Sequence, residues 1–278
     1  MAKERRILAL NTDPGQLDAL IEKCAQLSQK YSAGVTLLYV REERLFDLPI
    51  FDKAAGGSME ELHEQLLEHL RTRGCEEWAV LAYDNDPVDR AKLEAEREGS
   101  FLLVSDEHED LDELVEKIPI HLLILKKGLS HCYERVFLAL DSASSTEEGL
   151  DTVLDFVGKA DVSCYMDYQL IVSLSDPTLD PVVGAMTSDV LMAEESEVID
   201  IRRNAFEQLC KAKGLRGRFE LGEHGLVDDI LERSREAEPD LLALVAEDPD
   251  TLMAEAAKEI AWRSKEDFLL VYNRSVEK

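Results

Sequence analysis

The 278-residue chain carries 31 basic and 59 acidic side chains, a formal charge of −28, and 45% of its residues are apolar. The length allows one large domain or two of ordinary size, and the apolar content excludes general disorder. The acidity excludes broad nucleic-acid binding, which begins with clustered Lys and Arg on phosphates, and docking on an anionic membrane surface; most of it reads as a solvated acidic surface.

The charged start, Met1 to Arg6, runs straight into Ile7–Leu10. That apolar run is too short for a signal-peptide core, and no stretch reaches the ~18 apolar residues of a membrane span. The five cysteines, Cys24, Cys75, Cys132, Cys164 and Cys210, form no C-x-x-C pair, which argues against a disulfide framework or a zinc knuckle. The chain therefore reads as cytoplasmic.

Ile7–Leu10 predicts a short buried strand. Leu17, Leu20, Ile21, Cys24, Leu27 and Tyr31 then recur at helical spacing, and Gly34 is expected to end that helix. Val35–Val40 predicts the second strand. Beyond Pro49 and Gly56-Gly57, Ser58 is a candidate N-cap with Glu61 three residues on. The helix it opens carries Met59, Leu62, Leu66 and Leu70 on one face, up to Gly74. Trp78–Tyr83, Phe101–Val104 and Leu122–Leu125 predict three more strands. They are separated by a polar helix near Val88–Arg97 and a helix marked by Leu111, Leu114, Val115 and Ile118.

The sequence then starts again: Glu134–Asp141, ERVFLALD, repeats ERRILALN of Glu4–Asn11 at an offset of 130 residues. Val136–Leu140 predicts a strand, followed by a helix near Glu148–Gly158. A second strand lies within Val162–Leu174, its register open. Val198, Ile201, Ala205 and Leu209 mark a long helix ending at Gly214, before a strand over Arg218–Leu221. Val227, Ile230 and Leu231 mark the next helix, Leu241–Val245 a strand, Met253, Ala256, Ala257 and Ile260 the last helix, and Phe268–Tyr272 the last strand. Strands alternating with helices imply right-handed βαβ units and parallel sheets covered on both faces. Gly128, Ser130 and His131 interrupt the pattern, so the expected domains are residues 1–128 and 132–278, both acidic.

This order and spacing, with the long gap between strands two and three, resembles the universal stress protein family in a tandem, two-domain form. The resemblance is carried by Leu138-Ala139-Leu140-Asp141 at the end of a first strand, by Asp86-Pro87-Val88 and Gly222-Glu223-His224 after third strands, and by Pro239-Asp240-Leu241-Leu242-Ala243-Leu244. It implies five parallel strands per domain in the order 3-2-1-4-5, with the domains associating through strand five. Nucleotide-binding members of the family carry G-x-x-G, nine residues, then G-[S/T] after strand four. There, glycines admit phosphates to the backbone and a helix N-terminus binds them. Here the aligned positions are Val245, Asp248 and Ala254-Glu255, with Glu247, Asp250 and Pro249 between them, and the first half reads Ser105-Asp106-Glu107-His108-Glu109-Asp110. Each carboxylate placed ~4 Å from phosphate costs roughly 1–4 kcal/mol. Neither half is expected to bind ATP in the family's usual way.

Asp141 ends a central strand where open α/β sheets bind ligands; by the resemblance, the equivalent acid contacts the adenosine part of a nucleotide. It is the one ligand-site candidate, against a turn or capping role, and Asn11 and Asp13 stand at the matching place in the first half. The acidic run Asp106–Asp112 around His108 lacks calcium-loop spacing and reads as a solvated helix entry. His63 and His69 are six apart rather than i, i+4 and read as surface residues; His131 beside Cys132 reads as linker. No catalytic motif is present, so no catalytic residue, metal or cofactor is expected. A competing arrangement is a phosphoacceptor receiver, with Asp84 as acceptor and Asp13, Ser105 and Lys126 around it, although the paired acids after strand one are missing.

The expectation is therefore an α/β chain of two doubly wound five-stranded domains, joined through their fifth strands as an internal pseudo-dimer. It would be a non-catalytic stress-response protein whose partner is a protein, a small ligand or a second copy of the chain. The alternatives are a nucleotide-binding protein using Asp141 or a receiver using Asp84.

Overall fold

The computed structural model describes residues 5–41, 58–84, 86–128, 131–140, 146–168, 181–222, 225–247 and 251–273. In chain order the elements are β1 (Arg6–Asn11), α1 (Leu17–Tyr31), β2 (Gly34–Arg41), α2 (Met59–Thr72), β3 (Ala79–Asp84), α3 (Pro87–Glu98), β4 (Leu102–Asp106), α4 (Leu111–Lys117) and β5 (His121–Leu125). There follow β6 (Arg135–Leu140), α5 (Thr146–Val157), β7 (Asp161–Tyr168), α6 (Pro181–Lys213), β8 (Arg216–Leu221), α7 (Leu226–Ala237), β9 (Leu241–Ala246), α8 (Leu252–Arg263) and β10 (Asp267–Tyr272).

All ten strands lie in one sheet, ordered β3-β2-β1-β4-β5-β10-β9-β6-β7-β8. The order 3-2-1-4-5 therefore occurs twice, in opposite directions. The halves meet where β5 and β10 pair antiparallel, Leu123 opposite Leu269; every other neighbouring pair is parallel. This is the predicted pairing of fifth strands. Each would otherwise be an open edge, and Leu122–Leu125 and Phe268–Val271 are buried to within about 1%. A fully buried side chain of this size contributes about 1.5–3 kcal/mol, so the seam belongs to the core.

Strands covered by helices on both faces bury both sets of alternating residues. Ile7 and Ala9 face one apolar cluster while Leu8 and Leu10 face the other, and each cluster runs across the seam into the C-terminal half. The helix starts obey local chemistry. Ser58 and Glu61 form the predicted capping box on α2, and Asp86 caps α3, with Pro87 at its first turn.

Two expectations are corrected. Gly34 does not end α1: Ser32 adopts the left-handed conformation (φ 49°) and donates its N–H to Ser28 O, while Gly34 already belongs to β2. In α6, Val198 and Ile201 are exposed; among its described side chains the buried ones are Phe206 and Cys210, one turn apart. The segment with Pro49 and Gly56-Gly57, and Asp248–Asp250, lie outside the described residues.

Candidate functional site

In an open α/β sheet the crevice outside the carboxyl ends of the strands opens where the strand order reverses. In the N-terminal half that point lies between β1 and β4, with Leu10 opposite Ser105. A cavity of about 380 Å³ occurs beside it, within the size range of small-ligand sites, lined in part by Thr12, Asp13, Tyr39, Arg41, Glu107 and His108.

Thr12 and Asp13 of this lining are held from within by Asp106, the last residue of β4, which is wholly buried. Its Oδ2 accepts from Asn11 Nδ2 at 2.8 Å, from Thr12 N at 2.8 Å and from Asp13 N at 2.7 Å; its Oδ1 accepts from Thr12 Oγ1 at 3.2 Å. The carboxylate thus takes up the loop amides just past β1. Burial nonetheless raises its pKa to about 6, outweighing the hydrogen bonds that favour the charged form. The expectation that Asp106–Asp112 is a solvated helix entry is therefore overturned at Asp106 and His108. Asp106 is still part of β4 and His108 follows two residues on, and hydrogen bonds within the chain replace water at both.

His108 is 8% exposed in its side chain. Burial drops its pKa to about 4, against a smaller opposing pull from Asp86. The ring is neutral at pH 7, and its Nδ1 accepts from Asp110 N at 3.2 Å, so the proton sits on Nε2. That nitrogen is buried with no partner among the described residues.

The nearby cations are already committed. Arg41 holds Asp84 through two bonds of 2.6 and 3.0 Å between register partners on β2 and β3. Lys126 Nζ donates to Glu107 Oε1 at 2.9 Å and, across the seam, to Ala261 O at 2.7 Å. Lys127 Nζ lies 2.9 Å from Asp13 Oδ2, and this bond is the main reason that the Asp13 pKa is lowered; Asp13 Oδ1 caps Gly15 N at 2.8 Å. A polyphosphate entering here meets Asp13, Glu107, Glu109 and Asp110, with the positive charge spent on carboxylates. The receiver constellation is not brought together: Asp84 is engaged by Arg41, whereas Lys126 turns toward Glu107 and the C-terminal half.

The matching place in the C-terminal half lies between β6 and β9, with Leu140 opposite Val245. Asp141 follows Leu140 and lies outside the described residues. Val245, aligned with the family's first glycine, is buried and packs on Gly149 of α5 so closely that a Cβ at Gly149 would stand 2.3 Å from Val245 Cγ1. The backbone here is covered by a side chain rather than laid open to phosphate. At the start of α8, Thr251 caps the helix by accepting from Ala254 N at 3.3 Å, and Glu255 adds negative charge to its first turn.

His69 pairs with Asp18 at 2.6 Å on the surface. No group of three metal-ligating side chains occurs among the described residues, and no described helix is long and apolar enough to cross a membrane. His131, expected to be a mere linker residue, bonds through Nδ1 to Asp267 Oδ2 at 2.6 Å. The wholly buried Asp267 also accepts from Tyr133 Oη at 2.7 Å and Lys126 N at 2.8 Å. Lys23 of α1 completes this latch: its Nζ sits 3.7 Å from the centre of the Tyr133 ring and donates to His131 O, and burial lowers its pKa to about 8. The only mark of these groups in the sequence is an acid set directly against an apolar strand run, as in Ser105-Asp106 and Asp267-Phe268.

Solved structures match this architecture from end to end. A universal stress protein from Archaeoglobus fulgidus DSM 4304 superposes with a TM-score of 0.60 over 98% of this chain and 97% of its own, at 13% identity. The chain has the universal stress protein fold. A functionally unknown protein from Pseudomonas aeruginosa PAO1 gives a TM-score of 0.63 at 16% identity, over 97% of this chain and 92% of that one. A third, from Pseudomonas aeruginosa UCBPP-PA14 and assigned to the universal stress proteins, gives 0.61 at 16% identity, over 97% and 93%. No protein-family model and no curated protein matches the sequence. At such identities the likeness is one of fold, and function rests on the site itself.

Proposed function

We propose that this chain is a tandem protein of the universal stress type, with domains 1–128 and 132–278. It acts by association or by holding a small ligand other than ATP, and does no chemistry of its own. The observation that carries this reading is Asp106. A carboxylate of the chain itself occupies the Thr12 and Asp13 amides at the switch point, under a rim of Asp13, Glu107, Glu109 and Asp110. Like charges there oppose phosphate by roughly 1–4 kcal/mol for each contact near 4 Å, enough in combination to cancel ordinary nucleotide affinity. Val245, packed on Gly149, gives the same direction in the C-terminal half. Its partner would be a protein, a small molecule or a second copy of the chain, in the cytoplasm. Calorimetric titration with ATP, with and without magnesium, tests the reading: no heat of binding is expected at micromolar ATP. Micromolar affinity without magnesium overturns it and, if lost in Asp141→Ala, transfers the function to nucleotide binding at Asp141.

A further inference from the structure

A second feature lies on the outer strands of the C-terminal half, away from both switch points. β8 is the last strand of the sheet, and α6 packs on it with Phe206 and Cys210 buried. Gly217 of β8 shows how close the helix comes. A Cβ there would stand 2.6 Å from Cys210 Sγ and 3.0 Å from both Cys210 Cβ and the Phe206 ring. The Cys210 thiol therefore fills the space that a side chain at position 217 would take. Cys164 of β7 is the register partner of Gly217, one interstrand spacing of about 4.8 Å away, with its side chain on the same face. Both cysteines are buried, in the same apolar cluster. The missing side chain at Gly217 thus sets side by side two thiols that are 46 positions apart in sequence, at the short range that a disulfide requires.

We propose that Cys164 and Cys210 are an oxidative modification site, a dithiol that a hydroperoxide closes to a disulfide between β7 and α6. The Cys210 thiolate attacks the terminal oxygen of the hydroperoxide. The O–O bond breaks, the remainder leaves as an alcohol (water, for hydrogen peroxide) after taking up a proton, and Cys210 becomes a sulfenic acid. The Cys164 sulfur then attacks the Cys210 sulfur, the S–O bond breaks, and the hydroxyl leaves as water with the Cys164 proton. Two thiols together lose two electrons and two protons, and the peroxide is reduced.

The order of the steps follows from the environment. The pKa of Cys210 is lowered because the Cys164 thiol donates a hydrogen bond to it, whereas that of Cys164 is raised by this same bond and by burial. The thiolate is the reactive form. Access comes from the edge: Cys210 lies in the last turn of α6, which ends at Lys213, over a strand with mostly exposed residues. Opening one terminal helical turn is a local fluctuation that leaves the sheet intact. Cys24, by contrast, is wholly enclosed beside β1, and burial raises its pKa.

The test uses the full chain carrying Cys132→Ser, which removes the exposed thiol and leaves four buried ones. After native treatment with hydrogen peroxide and quenching, the thiol count in denaturant should fall from four to two. Non-reducing peptide mapping should show one cross-link, Cys164 to Cys210, that dithiothreitol reverses. With Cys164→Ser added, dimedone should label Cys210. Four surviving thiols, a cross-link between Cys24 and Cys75 at the same dose, or dimedone labelling of Cys164 in a Cys210→Ser chain would each overturn the proposal. The cross-link map needs no substitution in the pair, so it decides the matter even where a Ser variant folds poorly.

Discussion

Replacing Asp106 by Asn tests whether burial or hydrogen bonding governs its carboxyl. The folded carboxyl has a pKa of about 6, against 3.8 when unperturbed. At 1.36 kcal/mol per unit the difference is about 3 kcal/mol. The sign follows from linkage. Between pH 4 and 6 the folded chain holds a proton that the unfolded chain has released, so stability falls as pH rises through this window and is flat above it. The Asn variant cannot titrate there. The stability difference, wild type minus Asp106→Asn, should therefore be about 2 kcal/mol more favourable to wild type at pH 4 than at pH 7.5, the remainder of the roughly 3 kcal/mol lying below pH 4. Urea unfolding followed by circular dichroism at half-unit pH steps measures both curves. The other 58 acids shape the absolute pH dependence but cancel in the difference. A difference that stays constant between pH 4 and 7.5 refutes the reasoning. So does one in which wild type gains on the variant as pH rises from 2 to 4, since the bonds from Asn11, Thr12 and Asp13 would then have outweighed burial.

Gly149→Ala should destabilise the fold although alanine is the better helix former. The clash with Val245 Cγ1 at 2.3 Å brings an overpacking cost of about 1–3 kcal/mol, against a helix gain of about 0.5–1 kcal/mol. Adding Val245→Ala should recover at least about 1 kcal/mol of coupling in a double-mutant cycle, and a more stable Gly149→Ala chain would show that the helix stands off the strand. Asp267→Ala should cost about 3–5 kcal/mol in urea unfolding, because Lys126 N, His131 and Tyr133 Oη lose one shared acceptor; a loss under about 1 kcal/mol would mean that water replaces it without strain.

The strands were legible because parallel strands buried on both faces read as unbroken apolar runs, as in Leu122–Leu125 and Phe268–Val271. The pairing of those two runs was implied by the family resemblance, and covering an apolar edge makes it favourable. Cap chemistry was legible where one side chain decides it, as at Ser58. The site was less so. Asp106, His108 and Asp267 are polar residues whose burial depends on groups distant in sequence: Asp106 on Thr12, and Asp267 on Tyr133. Beyond its place at the end of an apolar strand run, local sequence gives a carboxylate little that separates a buried acceptor from a solvated one. The exposure of Val198 and Ile201 has the same origin, since helical periodicity names a face but not what covers it.

The strand register also shows that the repeat is not chemically symmetric. Leu10 lies opposite Ser105 and Leu140 opposite Val245, so one step further Asn11 and Asp106 correspond to Asp141 and Ala246. At these register positions an Asp stands on the fourth strand of the N-terminal half, whereas in the C-terminal half the sequence places it just past the first strand. Asp106 reaches across to the loop amides of Thr12 and Asp13; Ala246 has no group with which to reach. A ligand that enters the N-terminal crevice must displace a buried carboxylate or bind above it, whereas in the C-terminal half no side chain from the fourth strand makes that demand. The repeat therefore fixes where the strand order reverses in each half, and only in the N-terminal half does the fourth strand bring a carboxylate to that point.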